Sequence, residues 1–136
     1  MSTNSSISTK RENGGKTIYC HWDGYPSNNG KILKKHYNTQ EKVDELLSMG
    51  NLSILHKNIG VKVDFNSFNS RKQKQCLFYT RDRDETGQEA TDFPITKNPI
   101  QTQEWNYMFI QGKWYVSHNN EQYVLMTYQF IKENKY

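Results

Sequence analysis

The sequence is short of aliphatic side chains, cysteine and proline, and each shortage removes a class of protein. Hydrophobic residues make up 34% of the 136, against roughly 45–50% in an average soluble domain counted with glycine. No run approaches the ~18–20 apolar residues of a membrane span. The start, Met1-Ser2-Thr3-Asn4-Ser5-Ser6, has no apolar h-region, so the expected compartment is the cytosol. The two cysteines, Cys20 and Cys76, are too few for a disulfide framework and form no CxxC pair for zinc, which points to reduced thiols.

Catalytic signatures are missing as well. No Walker or Rossmann glycine loop, nucleophile elbow, HExxH or EF-hand loop occurs. The chain is therefore read as a binder without enzymatic activity, with no cofactor and no metal. Lys and Arg number 18 against 14 Asp and Glu, a net charge of +4. That bias admits a phosphate-bearing partner but falls short of the basic stripe of a duplex-DNA protein, so no specific nucleic acid is expected.

What the chain does have is aromatics: nine Tyr, six Phe and three Trp. Each ring buries about 150–250 Å² and keeps a polar edge, so a core is affordable in one domain spanning 1–136, a length typical of a single domain. The expected fold class is α+β, an antiparallel sheet decorated by two consecutive helices. Ser6–Lys10 and Lys16–Asp23 read as strands around the turn Glu12-Asn13-Gly14-Gly15. A helix is expected from about Asn29 to Tyr37. A second begins after Thr39 as N-cap, with Val43, Leu46 and Leu47 on its apolar side and Gly50 as stop. Val61–Phe68 reads as a loop with a short strand, Ser67–Gln75 as an exposed loop, and Cys76–Thr80 as a strand leading into Arg81-Asp82-Arg83-Asp84. Trp105–Ile110 and Lys113–Ser117 form a hairpin about Gln111-Gly112. The segment Glu121–Lys132 fits a helix or a strand.

Strand alternation in Tyr19–Asp23 sends Tyr19, His21 and Asp23 to one face, and Cys20 and Trp22 to the core. His21 and Asp23 then hydrogen-bond the neighbouring loop, contact a ligand, or join a metal whose third ligand has no spacing signal. If the strand through Tyr79 continues, Arg81 and Arg83 share one face. Two guanidinium forks side by side suit a phosphate; the alternative is a pair of exposed ion pairs, worth little.

The string Ile18-Tyr19-Cys20-His21-Trp22-Asp23-Gly24-Tyr25-Pro26, with Asn29-Gly30-Lys31-Ile32-Leu33, His36-Tyr37, Tyr79-Thr80-Arg81-Asp82-Arg83 and Gly112-Lys113-Trp114-Tyr115-Val116, resembles a group of small bacteriophage and prophage proteins. A strand-rich core with two helices at this size also resembles the Thoeris anti-defence sponge family. That resemblance implies a phage-encoded protein in the host cytoplasm that binds a cyclic ADP-ribose-type immune signal without cleaving it, as a dimer or larger homo-oligomer. On this reading Tyr25, Phe78 or Phe93 stacks the adenine, Arg81 and Arg83 hold phosphates, and His21 and Asp23 are further ligand contacts. The alternative is a protein-binding inhibitor of a host defence or host enzyme, using the aromatic hairpin Trp105–Val116 as its contact patch.

Overall fold

The structure, a computed structural model, describes residues 3–99 and 103–134. Its strands are β1 (Ser5–Arg11), β2 (Gly14–Cys20), β3 (Leu52–Ile54), β4 (Leu77–Phe78), β5 (Thr91–Phe93), β6 (Trp105–Ile110), β7 (Lys113–His118) and β8 (Val124–Leu125). Its α-helices are α1 (Lys31–His36), α2 (Gln40–Ser48), α3 (Tyr79–Arg83) and α4 (Tyr128–Glu133). The strands make one eight-stranded sheet in the order β4-β3-β2-β1-β6-β7-β8, with β5 also on β2. The fold is α+β, but the sheet is mixed, not antiparallel throughout. β1 runs parallel to β6 and β2 parallel to β3, because the chain leaves each first strand through a long excursion before its neighbour is laid down.

The register explains the core. Ile18, Ile7, Tyr107 and Val116 stand opposite one another across four strands, with Phe109 opposite Trp114 beside them, and all six are buried. Leu33 of α1 and Val43, Leu46 and Leu47 of α2 belong to the same cluster. Burying such a side chain is worth about 1.5–3 kcal/mol. Two polar tips fix the helices in place: the Tyr107 hydroxyl donates to Gly24 O at 2.6 Å, and Trp114 Nε1 donates to Tyr37 O at 2.8 Å. Trp105, Tyr107, Phe109 and Trp114 of the β6–β7 hairpin are therefore buried, and only Tyr115 among its large rings is half-exposed.

The other sheet face is polar yet also buried. Ser6 donates to Asn106 at 2.7 Å, and Ser8 shares a bond with Thr17 at 2.8 Å. β5 lies beside β2 while β6 lies beyond β1, so the chain between them has to cross the sheet. The described residues on either side of positions 100–102 lie on this face: Lys10 reaches Asn98 at 3.1 Å, and Asn106 Nδ2 donates to Gln103 O at 2.9 Å.

Local expectations fared unevenly. Thr39 caps α2 by accepting from Lys42 N at 3.3 Å, and Gly50 leaves it at φ +80. Gln111 and Gly112 both take positive φ, 47 and 81, as a two-residue hairpin turn needs. β2, however, ends at Cys20. Trp22 is 43% exposed and not in the core: the strand stops two residues before it, and the chain then turns at Asp23, φ 55. Pro26–Gly30 forms a π turn ahead of α1. The Val61–Phe68 loop holds a 3-10 turn at Phe65–Ser67 in place of a strand. The C-terminal segment holds both β8 and α4.

The largest departure is at Cys76–Arg83. Only Leu77–Phe78 is strand, and Tyr79–Arg83 is a helical turn. The cause is Asp82, buried and accepting from Phe78 N at 2.8 Å, Val63 N at 3.0 Å, and Arg81 Nε and Nη2 at 2.9 and 3.1 Å. A carboxylate without water needs such partners, and reaching back to Phe78 N curls the chain.

Candidate functional site

Tyr19, on the polar face, shares a 2.7 Å hydrogen bond between its hydroxyl and His21 Nδ1. Burial, then the Tyr79 phenol, raises the Tyr19 pKa. The His21 ring meets Trp22 edge-on at 4.8 Å. Asp23 offers its backbone to the turn, its carbonyl accepting from Asn29 N at 3.3 Å and Asn28 Nδ2 at 3.2 Å. The imidazole thus pairs with Tyr19 and not with Asp23. Tyr25 is half-buried against the core, its phenol pushed up by burial and then by Asp23. Two amides that sequence reading missed organise this region. Buried Asn29 donates to Ser5 Oγ at 3.1 Å and to Trp22 O at 3.3 Å. Asn51 accepts from Tyr19 N at 2.8 Å and donates to Gln88 at 2.9 Å. Cys20, fully buried, has its thiol pushed up to about 12 by desolvation, which leaves it unreactive.

Arg81 and Arg83 do not form a common clamp. On a helix, residues two apart point about 200° from each other. Arg81 donates to Ile59 O and Cys76 O, each at 3.0 Å, as well as to Asp82, so it holds a loop together. Phe78, beneath that guanidinium at 4.9 Å, has no exposed surface and is not a stacking platform. Arg83 lies over the rings of Phe65 and Tyr79, at 4.7 and 4.6 Å, and is paired with Glu85.

Elsewhere among the described residues, a cleft of about 810 Å³ opens between the β1–β2 hairpin end, α2 and the run leading into β5, lined among others by Arg11, Lys16, Asp44, Leu47, Glu89 and Phe93. Phe93 is the one residue of the sequence-predicted set that lines it. Its ring rests on Gly15, where a Cβ would fall 2.0 Å from Cζ. The same ring separates the cleft from a recess of about 280 Å³ that includes Tyr19 and Asn51. His21 thus approaches the recess only through Tyr19.

The cleft's charges are placed by strand alternation and by α2. Arg11 pairs with Asp44 at 2.8 Å, with side chains 52% and 37% exposed, and Lys16 pairs with Asp92 at 2.9 Å, at 58% and 79%. Such exposed pairs are worth about 0–1 kcal/mol, so either cation can be taken over by an incoming anion at small cost. Gln40 steadies one wall by donating to Thr9 at 2.8 Å and to Asp44 at 2.9 Å. The lining combines Phe93, whose ring covers Gly15 on the sheet face opposite the Lys16–Asp92 pair, with two exchangeable cations and the carboxylates of Asp44, Glu89 and Asp92. Among the described residues, no three His, Cys, Asp or Glu side chains cluster to hold a metal ion, and no helix is long and apolar enough to cross a membrane. No family model, no curated protein and no solved structure matches the chain.

Proposed function

We propose that this chain binds a small nucleotide-type ligand in the Phe93 cleft and holds it intact. The observation that supports this reading is the mixture of groups around one concavity. A base stacks on Phe93, phosphates exchange into the Arg11 and Lys16 pairs, and ribose hydroxyls donate to Asp44, Glu89 or Asp92. A volume of about 810 Å³ suits a ligand of that size, since small-molecule sites run to about 300–1,000 Å³. Sequestration needs a preorganised pocket and slow release, and no proton transfer.

The Tyr19–Pro26 string resembles phage and prophage proteins, and the size and the strand-rich core with two helices resemble the Thoeris anti-defence sponge family. On that second likeness we take the ligand to be a cyclic ADP-ribose-type immune signal. The same likeness makes the role anti-defence in the host cytoplasm, in a homo-oligomer. The test is to incubate the protein with a cyclic ADP-ribose isomer, remove free ligand, denature by heat and weigh what is released. The expected result is stoichiometric ligand of unchanged mass. Release of a hydrolysed product, or of nothing, contradicts the proposal.

A further inference from the structure

The end of α1, the start of α2, the exit of β3 and the loop before β4 bring six basic side chains together away from the cleft. The Tyr37 hydroxyl donates to His56 O at 2.7 Å, which sets the end of α1, with Lys35 and His36, against His56 and Lys57. Cys76 N donates to Asn58 O at 2.9 Å, and Asn58 Nδ2 donates to Lys74 O at 3.4 Å, which lays Lys74 alongside. Lys42, in the first turn of α2, completes the group. His36 feels Lys35, Lys57 and Lys42, and His56 feels Lys57, Lys74 and His36. The four lysines are exposed, and among the described residues none of their ammonium groups has an ion pair.

We infer that this surface binds the phosphate backbone of nucleic acid without regard to sequence. Like charges held together repel one another, and a chain of phosphodiesters relieves that repulsion at every lysine while releasing its own counterions. Compact ammonium groups contact phosphates as point charges and do not read base edges. An anionic lipid surface is the other source of dense phosphate, but it also takes apolar anchors. None of the large exposed ones, Trp22, Val61, Ile95, Val124, Leu125 or Tyr128, belongs to this group. The inference does not rest on the cleft or on its ligand.

Fluorescence anisotropy with a labelled duplex of scrambled sequence tests it. Four phosphate contacts give a slope of about −3.6 in log affinity against log salt, so a fourfold rise in salt weakens binding about 150-fold. Lys57→Glu with Lys74→Glu is expected to abolish binding while leaving the thermal melt unchanged. Lys35→Glu with Lys42→Glu is a second, independent pair should the first destabilise the loop. The inference is overturned by salt-independent binding, by equal binding of wild type and both pairs, or by retention on anionic vesicles with none on nucleic acid.

Discussion

Asp82 has no exposed side-chain surface, and its carboxylate accepts from two backbone amides and one guanidinium. Asp82→Ala leaves the half-buried Arg81 with its charge unmatched and frees Phe78 N and Val63 N. Breaking such a pair costs about 3–5 kcal/mol, so a denaturant melt should report a loss of that size, against a few tenths for the exposed Lys62→Ala. Gly15 acts differently, because it makes room for Phe93. A Cβ there displaces the ring, so Gly15→Ala should weaken ligand binding several-fold in calorimetry. In a Phe93→Ala background the same change should have no further effect, since residues in contact do not add. Additive losses would mean that Gly15 acts by another route.

At the scale of elements, the sequence was legible wherever a short-range rule governs. Alternation and a glycine turn identified both hairpins, and Thr39 with Gly50 bounded α2. It was not legible where one buried group overrides local preference. Cys76–Thr80 has strand composition, but Asp82, held buried by the distant Val63 amide and by Arg81, reaches back to Phe78 N and draws it into a helical turn. The site was hidden for a related reason. Arg11 and Lys16 belong to the first hairpin, but they line a cleft only because the three-residue β5 pairs with Gly15–Thr17, a contact across more than seventy positions with no periodic signal. By sequence, Phe93 and Phe78 are both rings to stack on a base; in the fold Phe93 lines the cleft, whereas Phe78 is core. The Gly14-Gly15 pair was the unused clue, since bare backbone marks close approach by another segment.

The end of α1 and the exit of β3 also share an electrostatic consequence. His36 and His56 are both held below the usual histidine value of 6.5, first by burial and then by the neighbouring lysines. In the unfolded chain they bind protons near that value, so as pH falls through it the unfolded state gains protons first and is favoured. The stability they contribute is present above about pH 6.5 and is lost on acidification. Melting temperature should therefore fall between about pH 7.5 and 5.5, with a shallower slope in His36→Gln with His56→Gln. Equal slopes in the two proteins would contradict this account.

For the whole molecule, the sheet acts as a partition. One face carries α1, α2 and the core, the polar face is lined by Ser6, Ser8 and Asn106 with Gln103 and Asn98 beside them, and a cleft lies where the β1–β2 hairpin extends past α2. An open cleft with exchangeable cations is suited to holding a charged small molecule. The most direct measurement is calorimetric titration of the wild type and of Arg11→Ala with Lys16→Ala by a cyclic ADP-ribose isomer at low and high salt. The account predicts saturable binding to the wild type that weakens with salt, and a loss of tenfold or more in the double variant with its melting temperature unchanged. No binding to the wild type, or equal binding to both, would contradict it.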